Sequence, residues 1–183
     1  MKKKLLLILV AAMLAVIPIT GVFAATSAVV TITATPTYIA ITNSEATWAA
    51  GTVAASSAYW WTTAGTAPAP EPFEADDMKS TITNTGSVAI DVDVKIAAFT
   101  GGVGWTISTD DSPAEGEISV RAGVTGTANE AAMIQIITTD TELTGSLASS
   151  GTIKWCMEME TPATFTDGVE KSGEVTLTAT IDS

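Results

Sequence analysis

The chain has 183 residues, with 20 acidic side chains against 8 basic ones, no histidine and a net charge of −12. Such a surface repels nucleic acid and anionic lipid, and the absence of imidazole removes Ser-His-Asp and Cys-His catalysis and the usual His-bearing zinc sites. Cys156 is the only cysteine, which excludes an intrachain disulfide and thiolate metal clusters and leaves either a free thiol or an intermolecular link.

The N-terminus reads as an export signal. Met1-Lys-Lys-Lys4 is a positive start, Leu5 to Ile17 is an apolar run ended by Pro18, and Val22-Phe-Ala24 offers small residues for cleavage. This is the layout of a secretory signal peptide over residues 1–24. A retained membrane anchor is the competing reading, but the run is short for a bilayer span. A pilin-type leader would want Gly or Ala before Leu5 and Glu soon after it, and neither is there. Cleavage leaves 5 basic residues against 20 acidic ones, a net charge of −15. The remaining length, residues 25–183, suits one domain with its own core. No lipobox cysteine stands near the cleavage site and no apolar tail follows Val175–Ser183, so surface retention is expected to be non-covalent or by assembly into a polymer. The expected location is extracellular or the cell surface, with no membrane partner after cleavage.

In chain order, short β patterns follow one another. Ser27–Thr35 alternates Val30, Ile32 and Ala34 against Thr31, Thr33 and Thr35, and Pro36 ends it. Tyr38–Thr42 alternates again, and Thr47–Val53 reads as a strand bent at Gly51. Ser57–Thr63 holds Tyr59-Trp60-Trp61. A Pro-rich acidic surface loop covers residues 64–77, where Pro68, Pro70 and Pro72 exclude regular sheet.

Met78–Phe99 carries the clearest pattern. Val88, Ile90, Val92, Val94 and Ile96 alternate with Ala89, Asp91, Asp93 and Lys95, giving one apolar and one wet face. Asn84-Thr-Gly-Ser87 before it supplies turn residues that tolerate positive φ, which predicts a hairpin between the flanking strands. Further strands are predicted at Trp105–Ser108, Glu117–Arg121, Ala132–Thr138, Thr152–Glu160 and Glu174–Ile181, with a turn at Asp110–Gly116, a brief helical turn at Thr127–Ala131 and a polar connection over Thr139–Ser150. Ile153, Trp155, Met157 and Met159 share one face, as do Val175, Leu177, Ala179 and Ile181. The sum is an all-β chain: a single immunoglobulin-like or jelly-roll-type β-sandwich of eight to ten strands after an N-terminal signal helix.

Chemistry-bearing features are few. Gly101-Gly-Val-Gly104 precedes a strand and not a helix, so it reads as a turn and not as a phosphate cradle. Asp110, Asp111 and Glu115 crowd one turn and are the expected centre if a loop binds calcium, although their spacing matches no EF-hand; a solvated acidic surface is the plainer reading. No other cofactor is expected, and no enzymatic activity. Tyr59, Trp60 and Trp61 are adjacent, so one Trp should face away from the core. Either the Pro-rich loop covers it, or it stands exposed to stack on a glycan or a partner. Trp48, Trp105 and Trp155 are assigned to the core. No Asn-x-Ser/Thr sequon occurs at Asn43, Asn84 or Asn129.

The run Ile82-Thr-Asn-Thr-Gly-Ser-Val-Ala-Ile-Asp-Val-Asp-Val94 resembles the hairpin of immunoglobulin-like surface modules. The end, from Ile153-Lys-Trp155 through Thr161-Pro162 to Gly173–Ile181, resembles the closing strands of secreted surface and matrix proteins, among them camelysin/TasA-like fibre subunits and WxL-type wall-associated proteins. The chain departs from the WxL pattern, since none of its five Trp residues is followed by x-Leu. The fibre resemblance implies a non-enzymatic structural subunit of a filament, matrix or surface layer. Its partners would be other copies of itself or cell-surface proteins and glycans, and it would polymerise by lending the strand with Val30, Ile32 and Ala34 to a neighbour. The alternative is a carbohydrate-binding or adhesion module working through exposed Trp60 or Trp61.

Overall fold

A computed structural model describes residues 33–65 and 72–182. The predicted signal segment and the predicted strand positions Val30 and Ile32 lie outside these residues. Thr33–Thr35 carries no strand, and Ala34 is exposed. Met1–Thr35 and Pro36–Ser183 are separate units, and every described strand belongs to the second.

That unit is a two-sheet β-sandwich. Ten strands are described: β1 (Ile41–Asn43), β2 (Ala58–Trp61), β3 (Ser80–Asn84), β4 (Ile90–Ile96), β5 (Thr106–Ser108), β6 (Glu117–Val124), β7 (Ile134–Gln135), β8 (Thr141–Leu147), β9 (Thr152–Glu160) and β10 (Val175–Ile181). The larger sheet is built on β9 and β6, which pair antiparallel from Ser119–Glu160 to Val124–Trp155. The short strands β3 and β2 lie end to end along the other side of β9, with β1 outside β3. Beyond β6 lie β5, in parallel pairing, and β7. The smaller sheet runs β10-β4-β8.

Alternation sets the core, as the sequence predicts. Trp155, Met157 and Met159 from β9, Ile118, Val120 and Ala122 from β6, and Ile90, Val92, Val94 and Ile96 from β4 close the space between the sheets. Trp61 and Trp105 join them, while Trp48 packs partly buried against the same cluster. Ile181 departs from its predicted inward set and is exposed at the end of β10.

Three expectations are corrected. Asn84–Ser87 does not close a hairpin: β3 pairs with β1 and β9, whereas β4 pairs with β10 and β8. The segment carries the chain from one sheet to the other, and none of its residues has positive φ. Thr47–Val53 forms no strand, for no neighbour among the described residues offers it a ladder, and Gly51 turns it at φ 75°. The polar connection over Thr139–Ser150 contains β8, which pairs with β4 through two register shifts.

Asn84 holds the crossing. It is fully buried. Its Nδ2 donates to Val88 O at 2.8 Å and to Leu147 O at 2.9 Å, and its Oδ1 accepts from Gly86 N at 2.8 Å. One side chain of the larger sheet thus satisfies backbone groups leading into β4 and ending β8. Asn84→Ala leaves those groups unpaired, and we expect urea unfolding to show a loss of about 3 kcal/mol. Asn84→Asp, which keeps the acceptor and loses both donors, should also destabilise.

Candidate functional site

Two features of the sandwich stand out, and both follow from strand order. The first is the edge at β10. Among the described strands, β1 and β5 are edges of three residues each, and β8 is an edge broken by register shifts and by Ser146 at φ 54°. Shortness and bulges blunt an edge against further pairing. β10 has neither defence. It runs seven residues in unbroken register against β4, from Val175–Ile96 to Ile181–Ile90, and carries no charge and no proline. β-Branched Thr176, Thr178 and Thr180 alternate along it, which favours an extended chain.

Beside this edge the sandwich is open. A cleft of about 970 Å³ enters the core, lined by Trp48, Trp61, Trp105, Trp155, Met159 and Leu177 among others. The strandless run Glu45–Val53 forms part of its wall. At the far wall Trp105 stacks on Phe165 at 5.6 Å between ring centroids, and Phe99 tilts against Trp105 at 6.2 Å. Lys171 fixes this end. Its Nζ donates to Asp167 Oδ1 at 2.6 Å and to Gly101 O at 2.7 Å, and lies 5.8 Å from the centre of the Trp105 ring. The hydrogen bond from Lys171, followed by one from the Val103 N–H, pulls the Asp167 carboxyl down to about 2.

The second feature lies on the outer face of the larger sheet. Register places Trp60, Glu158, Arg121 and Gln135 in one row across β2, β9, β6 and β7. This face is covered. Phe73, from the end of the Pro-rich loop, meets the Trp60 ring edge-on at 6.0 Å and is held by Phe73 N to Thr127 O at 3.0 Å and Gly126 N to Phe73 O at 2.9 Å. Met78, Met133 and Cys156 complete a small second core. Cys156 is a free thiol with no exposed surface. Burial pushes that thiol up to about 12, so an intermolecular disulfide is not open to the folded chain. Burial, followed by the charge of Glu130, pushes the Glu158 carboxyl up to about 7 against the pull of Arg121. Burial raises Glu160 as well.

The predicted site residues sit as the plainer readings have them, Trp60 under Phe73 of the Pro-rich loop and the acidic turn in solvent. Trp60 and Trp61 point to opposite faces, and both are buried, at 3% and 5% exposure. Tyr59 is half-buried and its hydroxyl accepts from Ala54 N at 2.7 Å. The three therefore form no exposed platform: Trp61 enters the main core, and the Pro-rich loop supplies Phe73 as a cover for Trp60. Asp110, Asp111 and Glu115 are exposed and do not converge as ligands; Asp111 turns to Arg121 as an ion pair. Sequence proximity in a turn does not aim three carboxylates at one point. Among the described residues the carboxylates that do converge are Glu130, Glu158 and Glu160. Their signal was the even spacing of Glu158 and Glu160 opposite Met157 and Met159. Comparison with known protein families, curated proteins and solved structures found no match.

Proposed function

We propose that this chain is an exported, non-enzymatic structural subunit that assembles with further copies of itself by β-strand addition into an extracellular filament, matrix or surface layer. The undefended β10 edge beside an open apolar cleft is the observation that supports this reading. A strand laid along β10 satisfies a row of backbone donors and acceptors, and its inward side chains enter a cleft lined by tryptophan. Ser27–Thr35 of a second copy has the required grammar, with Val30, Ile32 and Ala34 on one side and threonines on the other. Export rests on the leader pattern of residues 1–24. The strong negative charge keeps laterally adjacent subunits apart, so contacts are confined to the strand and its groove.

The test is the mass of the secreted protein in solution, by light scattering and negative-stain microscopy. Polymers are expected. A variant lacking Ser27–Thr35 should be a folded monomer by circular dichroism, and it should bind a synthetic peptide of that sequence one to one. A secreted protein that stays monomeric at every concentration, or polymers that persist in the deletion, would sink the proposal.

A further inference from the structure

We infer that Glu130, Glu158 and Glu160 form a binding site for a hard divalent cation, of which calcium is the best fit, on the outer face of the larger sheet. The site is independent of strand addition.

The geometry is the first argument. A carboxylate oxygen from each residue lies within 4.8 Å of the other two. Three oxygens no farther apart than that lie within about 2.8 Å of a common centre, so small side-chain adjustments bring all three to the roughly 2.3–2.6 Å of calcium ligation. The donors are all oxygens, which suits calcium, magnesium or manganese and not a thiophilic metal. A cavity of about 570 Å³ adjoins Glu130, lined also by Asp111, Arg121, Asn129 and Gln135. It leaves room for the waters that complete a shell of six to eight ligands, a looser demand than the octahedron of magnesium.

The second argument is independent of the clustering. Glu158 is 1% exposed, yet its Oε2 accepts no hydrogen bond, and Glu160 Oε2 is likewise buried without one. A buried carboxylate oxygen with nothing donating to it is costly. The nearest positive group does not cure this. Arg121 Nη1 stands 3.6 Å from Glu158 Oε2 and 3.5 Å from Glu130 Oε1. Its guanidinium is drawn elsewhere, with Nη2 on Asp111 and Nε donating to Gln135 Oε1 at 3.4 Å. Gln135 is itself fixed, for its Nε2 donates to Ser108 O at 2.9 Å and Ser119 Oγ at 3.0 Å. Asp111, Glu130 and Glu158 thus all turn to the Arg121 guanidinium, with Glu160 beside them. When all are ionised, a dication removes most of the excess negative charge.

The elements are well placed for a ligand that joins them. Glu158 and Glu160 stand on the rigid central strand β9. Glu130 begins the 3₁₀ turn Glu130–Ala132, whose preceding Asn129 caps it by accepting from Ala132 N at 3.1 Å. A bound ion would tie this covering turn to the sheet.

Terbium is the probe, since Trp60 pairs across the strands with Glu158 and can sensitise its luminescence. Tryptophan-excited terbium emission from the purified protein should saturate and be displaced by calcium. Calcium alone should raise the melting temperature by roughly 5–10 °C at about a hundredfold excess over Kd. Glu158→Gln and Glu130→Gln should each weaken terbium binding at least about tenfold, the loss of one charged ligand. Asp110→Asn, an exposed carboxylate outside the cluster, should leave it unchanged. Circular dichroism confirms that each variant is folded, and Glu160→Gln replaces any variant that is not. Emission equal in the wild type and in the folded glutamine variants, or no melting shift in millimolar calcium, overturns the assignment.

Discussion

Trp155→Ala is expected to remove about 4 kcal/mol of unfolding free energy. Trp155 is 2% exposed at the middle of β9. Its ring meets Trp61 edge-on at 5.3 Å, and its Nε1 donates to Asn43 Oδ1 at 3.0 Å, joining β9 to β1 across the intervening β3. Truncation removes the transfer free energy of a whole indole, the aromatic contact and the donor together. It also widens a cleft that is already open, which denies the neighbours an easy collapse. Domains of this size are commonly stable by about 5–15 kcal/mol, so the variant sits near the limit of folding. Trp155→Phe separates the contributions. It keeps most of the apolar body and loses only the donor, while Asn43 Oδ1 still accepts from Ser80 Oγ at 2.7 Å, so a loss of about 1 kcal/mol is expected. Urea titration followed by far-ultraviolet circular dichroism measures both. A Trp155→Ala loss below about 1 kcal/mol would mean that this ring is not part of the core that holds the sheets together.

The second large effect is on pH. Without divalent cations, stability should fall as pH rises from about 4.5 to about 7, by about 3 kcal/mol. The cause is Glu158, whose folded-state carboxyl is raised from 4.5 to about 7 by burial first and by Glu130 second. Through that window the folded chain holds a proton that the unfolded chain has released, so folding is favoured at the acid end and the advantage is lost as the pH climbs. Glu160 is raised in the same sense and adds to the slope. Asp167 has the opposite sign, but its contribution is lost only as pH falls from 3.8 through about 2, below this window. Of the facing groups, Glu130 and Glu160 supply the negative field and Arg121 the positive one. Glu158→Gln, neutral at every pH, should flatten the slope and unfold at higher urea than the wild type at pH 8. Stability that rises from pH 4.5 to 7 in the wild type would contradict the buried-carboxylate account.

Much of the fold could be read from alternation alone. Thr152–Glu160 is β9 to the residue, and β4 and β10 differ from expectation only at their ends. What failed were judgements that needed knowledge of a distant partner. The turn grammar of Asn84–Ser87 is real, but no local pattern tells a chain turning back within a sheet from one crossing to the next. β8 has a single buried apolar residue, Leu143, and Gly145 just past its centre, so it has little period to detect. It is a strand because β4 offers it a ladder. Thr47–Val53 has similar composition and no such offer. The carboxylate cluster was half legible. Glu158 and Glu160 lie on the predicted wet side of β9, and only Phe73, Met133 and the turn at Glu130, distant in sequence, make that side dry. The visible hint was Tyr59-Trp60-Trp61, since consecutive large aromatic residues in a strand signal a sheet covered on both faces.

The placement of β9 also governs when the chain can fold. β2, β3 and β6 all pair with β9, which begins at Thr152 in a chain of 183 residues. β4 likewise waits for β8 and β10. An emerging polypeptide therefore cannot complete either sheet until roughly its last sixth has appeared, and apart from the local pairings of β5 and β7 with β6 each ladder closes a long loop. Topology of this kind keeps a nascent chain extended and threadable through a narrow pore, and it leaves unpaired apolar strands for a holding chaperone to cover until the ninth strand arrives.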